Sequence, residues 1–297
     1  MPPLKFFLSE LFCENDVTIG VGEPNAGKSL FVVQMAQKIA NGQSLYPFEN
    51  QNTPKITLYF DFELNTRQFY ARYSGVDFSQ NFFRGVFNQL FEPENFESEV
   101  ISQIERQVKS INANVVIIDN LTWLQNETEK GAEAGKFIKS LQRLKNQLNI
   151  SIVVIAHTPK RSGTEPFRLN DIAGSSRLGN FIDSAFAIGK SIKDDGLRYV
   201  KCLKTRNDKL LYGTDNVAVF RLSTTDMLGF EYINNDYERN HLFETTEQKK
   251  MEEFEVIKDM FIRGIKQEEM AKELGCSIGK VNGIVKKVKE TLKGNEK

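Results

Sequence analysis

The spacing of apolar residues along the 297-residue chain predicts alternating strands and helices over its first half. Val17-Thr18-Ile19-Gly20-Val21 is a short β-branched run of the kind that fills a buried strand. Apolar residues then recur at Leu30, Val33, Ala36 and Ile39-Ala40, the spacing of one helix face. Asn41-Gly42 stops that helix, and 43–54 is a polar loop containing Pro47 and Pro54. Lys55–Phe60 predicts the next strand, which closes in Asp61-Phe62-Glu63, with a helix from about Thr66. Phe82–Phe87 predicts another strand, and Phe96, Val100, Ile104 and Val108 mark a helix over 95–111. Val115-Val116-Ile117-Ile118 is an unbroken apolar run closed by Asp119-Asn120, as in a strand buried on both faces of a parallel sheet. Residues 131–148 predict an amphipathic helix with Phe137, Ile138, Leu141, Leu144 and Leu148 inward, and the run from Ile152 to Ala156 ends at His157. Such alternation predicts an α/β fold with a doubly wound, mainly parallel sheet.

The pattern changes after His157. Residues 158–180 are polar with few apolar positions and read as a mobile loop. Strands resume near Ala185–Gly189, Tyr199–Leu203, Asn216–Leu222 and Phe230–Ile233, and their Gly, Asp and Asn punctuation predicts antiparallel hairpins added to the core. The polar, charged stretch 236–250 is expected to be a linker, and 251–293 reads as three short helices. The chain therefore divides into a domain over 1–235 and a small all-α domain over 251–297. Only a short lead-in, 1–16, precedes the first strand, so the larger domain is expected to begin at the N-terminus. Leu4, Phe6, Phe7, Leu8, Leu11 and Phe12 of that lead-in are expected to pack against the sheet edge.

Composition narrows the options. With 40% hydrophobic and 26% charged residues the chain is ordinary for a globular protein. Formal net charge is zero, so any nucleic acid must be met by a local patch. Cys13, Cys202 and Cys276 show no C-x-x-C spacing, which argues against a disulfide framework or a zinc knuckle. No apolar run approaches membrane-spanning length and no signal segment is evident. A cytoplasmic protein with no membrane partner is expected.

The chemistry centres on Gly22-Glu23-Pro24-Asn25-Ala26-Gly27-Lys28-Ser29, which reads G-x-x-x-x-G-K-S between a strand and a helix. Glycines let the backbone close around an anion, and the amides of Glu23, Pro24–Gly27, Lys28, Ser29 and Leu30 lead into a helix N-terminus. Proline is the exception, as it has no amide hydrogen. Lys28 is placed to reach the β- and γ-phosphates of ATP, and the Ser29 hydroxyl to ligate Mg²⁺. Asp119, at the end of a buried strand, can hold the same Mg²⁺ through a water. Glu63 can polarise the attacking water, with Asp61 as its competitor. His157 ends a third strand, where a γ-phosphate sensor would sit. Lys204 and Arg206, one residue apart on an extended chain, point to one side and can reach a phosphate on a neighbouring subunit. Lys160, Arg161, Arg168 and Arg177 flank the polar segment and can meet a nucleic-acid backbone. In 251–293, Ala271, Gly275 and the inward Ile278, Val281, Ile284 and Val285 fit a helix-turn-helix. Its polar face offers Ser277, Lys280, Asn282, Lys286 and Lys287 to DNA. Past residue 277 there are six Lys and two Glu, against seven acids and four bases over 251–277.

Taken together, G-E-P-N-A-G-K-S at 22–29, Y-F-D-F-E at 59–63, V-V-I-I-D-N at 115–120, A-H-T-P-K at 156–160, G-S-S-R at 174–177 and K-T-R at 204–206 resemble the RecA-like ATPases of the hexameric-helicase branch. The likeness is to RepA- and DnaB-like helicases and their mobile-element relatives, over about residues 10–222. The resemblance implies a RecA-like fold and Mg²⁺-dependent ATP hydrolysis with Glu63 as base. It implies that His157 couples the γ-phosphate to nucleic-acid loops, and that Lys204 and Arg206 act in trans across a homo-oligomeric, hexameric ring working on DNA. The helix-turn-helix departs from a minimal ring helicase and favours an ATPase recruited to DNA in replication or mobilisation of a plasmid-like element. The branch's usual second neighbouring His is replaced by Ala156. A nucleotide-switched DNA-binding regulator with little hydrolysis is the alternative expectation. A small-molecule kinase shares the loop but leaves the C-terminal helices without a purpose.

Overall fold

A computed structural model of the chain describes residues 3–86, 96–120, 130–158, 161–172, 178–244 and 246–294. It contains two compact units, Met1–Leu242 and Phe243–Lys297. In the first unit β1 (Phe6–Leu8) and β2 (Phe12–Cys13) pair as a small hairpin. Strands and helices then alternate: β3 (Val17–Gly22), α1 (Lys28–Ala40), β4 (Thr57–Asp61), α2 (Thr66–Arg72), β5 (Phe82–Val86), α3 (Phe96–Ile111), β6 (Val115–Asp119), α4 (Lys130–Leu148) and β7 (Ser151–His157). A short α5 (Leu178–Phe181) leads into β8 (Ser184–Lys190), β9 (Leu197–Lys204), β10 (Val217–Ser223) and β11 (Gly229–Asp236).

Among the described residues, β3 to β11 form one sheet in the order β11-β10-β9-β8-β3-β7-β6-β4-β5. The strands from β8 to β5 in this order are parallel, and β9, β10 and β11 extend the β8 side antiparallel. β3, β4 and β6 are buried along their whole length, as strands covered on both faces must be. One face packs Val100, Ile104 and Val108 of α3 and Phe137, Leu141 and Leu144 of α4 against the sheet. The other packs Phe31, Val32 and Met35 of α1 and Phe69 of α2. Phe7, Leu8, Leu11 and Phe12 join this second face, in their own hairpin, rather than the sheet edge expected from the sequence.

The polar segment after β7 is anchored where described. Phe167 and Ile172 are buried, and a 3₁₀ turn spans Leu169–Asp171. Glu238, 0% exposed, forms an ion pair with Lys201. Glu238 accepts a hydrogen bond from Phe167 N at 2.8 Å, and Lys201 Nζ donates to Phe167 O at 2.9 Å. A buried charge pair persists only when its remaining hydrogen-bonding capacity is met, and here the Phe167 backbone meets it. Glu238 and His241 lie in the stretch expected to be linker. Both are buried in the first unit, and a helix starts at Thr246.

The second unit consists of α6 (Thr246–Ile262), α7 (Gln267–Glu273) and α8 (Ile278–Gly294). Ile257, Met260, Met270, Ala271, Val281 and Val285 form its core. The link between α7 and α8 is Leu274–Ser277, with Gly275 at φ +60°.

Candidate nucleotide-binding site

The parallel strands bring their carboxyl ends to one edge of the sheet. Gly22 pairs with His157, and Asp61 pairs with Asp119. Ligands of open α/β sheets bind outside such ends. The loop from β3 to α1 closes over this edge, with Asn25 at φ +60° and Gly27 at φ +89°. Gly22 must lack a side chain for another reason: a Cβ there would lie 2.5 Å from Ile188 O. The first turn of α1 carries no acidic residue, so nothing offsets the positive end of its dipole.

A cavity of about 370 Å³ opens on this loop, lined by Pro24, Asn25, Gly27, Lys28, Ser29, Leu30, Glu63, Arg72, Asn120, His157, Leu222 and Leu228. Lys28 Nζ donates to Gly22 O and Glu23 O, both at 3.0 Å, and lies 2.9 Å from His157 Nδ1. An ammonium has only donors, so Nδ1 accepts. Burial drives the Lys28 ammonium down to about 8, against the opposing pull of Asp119 and Glu63. Bound phosphates would return this amine to its ordinary range, so nucleotide uptake above pH 8 must carry a proton with it. The Kd for ADP is therefore expected to rise about fivefold from pH 8 to 9 and only about twofold from pH 7 to 8. A calorimetric titration series that stays flat to pH 9 would refute this assignment.

Asp119 is 1% exposed and accepts from Tyr59 Oη at 2.7 Å. Burial raises its carboxyl to about 6, partly offset by hydrogen bonds from Tyr59 and Ser29. Its second oxygen, Oδ1, is buried without a hydrogen-bond partner. An orphaned carboxylate oxygen beside a serine hydroxyl fits a cation that keeps most of its ligands as water and phosphate, as Mg²⁺ does. No group of three or more His, Cys, Asp or Glu able to hold a metal occurs among the described residues. The fit is thus to a metal delivered with the nucleotide, with Ser29 and Asp119 as the protein groups that would meet it.

Glu63 and Asp61 are separated by their partners. Asp61 is buried, pairs with Arg84 at 2.8 Å, and accepts from Glu63 N and Leu64 N, so it shapes the turn. Glu63 faces the cavity and accepts from Asn120 Nδ2. The neighbouring His157 is the first cause holding its carboxyl below the usual range, so it is ionised at neutral pH. His157 Nε2 is 3.8 Å from Glu63 Oε1. The cavity therefore gathers Lys28, Ser29, Glu63 and His157, with Asp119 beneath. Asn120 and Arg72 line it too. Sequence reading assigned these two no role: Asn120 follows Asp119, but nothing local marks Arg72 in the last turn of α2.

Lys204 and Arg206 lie elsewhere. Thr18 pairs with Ser184 and Ala185 with Lys204, so both cations sit at the opposite end of the sheet from their own loop. Lys204 Nζ donates to Gly179 O and Ile182 O at 2.6 Å; Arg206 donates to Asp183 Oδ1 and Asn180 O at 2.9 Å. They cannot touch the nucleotide of their own chain.

The expected nucleic-acid contacts fare unevenly. Lys160 and Arg177 lie outside the described residues. The Arg161 side chain is 9% exposed, is paired with Asp171 and stacks 3.8 Å over Phe167, so it braces its own loop instead of presenting a free cation. Arg168 is exposed and paired with Glu165. In the second unit Ser277, Lys280, Asn282, Lys286 and Lys287 are all exposed, opposite the buried Val281, Val285 and Val288. Lys280 pairs with Glu253 at 2.6 Å.

The parallel sheet, the loop on Lys28 and the buried carboxylate define the class of RecA-like P-loop ATPases. The chain belongs to the AAA domain family, whose model matches residues 1–163. No curated protein matches it. Among solved structures it is similar to a KaiC-like protein from the hyperthermophilic archaeon Pyrococcus horikoshii OT3. That match has a TM-score of 0.53 at 15% identity and covers 77% of this chain and 99% of the other. No helix among the described residues is long and apolar enough to cross a membrane.

Proposed function

We propose that the protein is a Mg²⁺-dependent ATPase that acts on DNA. The observation that carries the ATPase reading is the orphaned Asp119 Oδ1 beneath a cavity shared by Lys28, Ser29, Glu63 and His157. In this reading Lys28 leaves the Gly22 and Glu23 carbonyls for the β- and γ-phosphates. Ser29 and Asp119 meet Mg²⁺, Glu63 takes the proton of the attacking water, and His157 registers the γ-phosphate. Lys204 and Arg206 complete the site of the next subunit in a homo-oligomeric, hexameric ring; their distance from their own loop supports a trans role. The unit over 1–242 is the ATPase domain and the unit over 243–297 a helix-turn-helix domain, whose four-residue turn and exposed lysines support duplex binding. The service is replication or mobilisation of a plasmid-like element.

The test is ATP turnover by the full chain with and without DNA. Turnover absent in both conditions defeats the enzyme reading. Site-specific duplex binding with negligible turnover would instead identify a nucleotide-switched regulator. Replacing both Lys286 and Lys287 by alanine is expected to weaken duplex binding about tenfold and to lower the salt slope of log K by about 2. An unchanged slope would remove α8 from the DNA interface.

A further inference from the structure

The cavity has a second wall that the phosphate chemistry leaves unused. On the sheet, β7, β6 and β4 lie on one side of β3 and carry His157, Asp119 and Glu63 at or just past their tips. β8, β9, β10 and β11 lie on the other side. Leu222 pairs with Phe230 and Ser223 with Gly229, so the β10–β11 turn projects beyond the same edge as the phosphate loop. Two leucines at its base, Leu222 and Leu228, line the cavity together with Pro24 and Leu30. A triphosphate whose terminal phosphate faces Glu63 and His157 must extend its other end towards this apolar side. We infer that the β10–β11 turn is the nucleoside subsite, with Leu222 and Leu228 forming the wall against which the base lies.

The wall is rigid because it is fixed to the phosphate loop and its helix at several points. Gln34 of α1 donates from Nε2 to Phe230 O at 3.0 Å and accepts from Phe230 N at 2.8 Å. Arg198 of β9 donates to Ala26 O at 3.1 Å. A Cβ on Gly27 would lie 3.1 Å from the Phe230 ring and 3.8 Å from Leu222 Cδ2. A wall ordered before the ligand arrives costs no ordering entropy on binding. Leucine has no hydrogen-bonding group, so the two side chains hold a base by its face and do not read its edge. They raise affinity for adenine and guanine nucleotides alike.

This inference rests on the nucleotide-binding reading, and the experiment separates the two. Binding of Mg²⁺-ADP, Mg²⁺-GDP and Mg²⁺-tripolyphosphate is measured by calorimetry for the wild type and for the Leu222→Ser/Leu228→Ser variant. Both leucines are half-buried, and an unchanged thermal melt shows that the variant is folded. The variant is expected to bind both nucleotides about tenfold more weakly, with tripolyphosphate affinity unchanged. Equal losses for tripolyphosphate and nucleotide, or nucleotide affinities within twofold of wild type, would overturn the subsite. Wild type that binds none of the three would overturn the functional reading itself. As a second measurement that needs no variant, photoreactive 8-azido-ATP is expected to label the wild-type segment 222–229. Labelling confined to other segments would also overturn it.

Discussion

Asp119→Asn is expected to lose Mg²⁺-dependent ATP turnover and yet to be more stable than the wild-type chain. The two effects share one cause. The Asp119 carboxyl is fully buried, and burial raises it from an ordinary 3.8 to about 6. Above pH 6 the native state therefore holds an ionised group in a place that favours the neutral one. At about 1.4 kcal/mol per tenfold, this costs the native state about 3 kcal/mol. The sign follows from proton counts. Between pH 3.8 and 6 the native chain binds more protons than the unfolded one, so wild-type stability falls as pH rises through that window. Asparagine never ionises, and with its amide oxygen in the place of Asp119 Oδ2 it can accept the same bond from Tyr59. The stabilisation, about 3 kcal/mol at pH 7.5 without nucleotide or metal, is expected to fade towards pH 4. On turnover, removing the carboxylate withdraws the metal's protein anchor, which supplies several kcal/mol and so at least about a hundredfold in rate. Denaturant melts at pH 7.5 and 4, paired with turnover against Mg²⁺ concentration, check both halves. A variant less stable than wild type at pH 7.5 would show that Asp119 is tuned for the fold and not for a cation.

Lys28→Ala is expected to lower ATP turnover by about 10²- to 10³-fold, the usual effect of removing one preorganised donor from a developing anion. Lys28 also satisfies two loop carbonyls and His157 in the free protein. The alanine variant leaves Gly22 O and Glu23 O to water, which the open cavity admits. Stability should therefore change little, while nucleotide affinity falls sharply and loses its dependence on pH near 8. Fluorescence titration with a labelled ADP across that pH range is the check. A variant that keeps wild-type affinity would place the phosphates away from the loop.

The residues of the site were legible in the sequence to the extent that their neighbours are local. β6 and β7 are marked by unbroken apolar runs because both of their faces are covered, and a polar residue ending such a run must sit at a strand tip. That logic located Asp119 and His157 at the end of the sheet where the loop closes. The choice between Asp61 and Glu63 was not local: it turns on Arg84, carried by the neighbouring strand. β1 and β2 are three and two residues long, too short to show a period. The segment 161–172 looked unanchored because its fixing points, Lys201 and Glu238, lie far along the chain and bind the Phe167 backbone, which has no signature in sequence. Leu222 reads as the end of one strand and Leu228 as part of the turn before the next. Only the order of the strands brings them to the loop.

The ion pair of Lys201 and Glu238 ties the polar segment after β7 to the antiparallel side of the sheet. The chain leaving His157 is moored again at Phe167, on groups that would have to be stripped of each other in a dry interior before that point could shift. Moving Phe167 would uncover both charges at once, so the described residues on either side of it, with Arg161 stacked over its ring and paired with Asp171, are held to the sheet at that point.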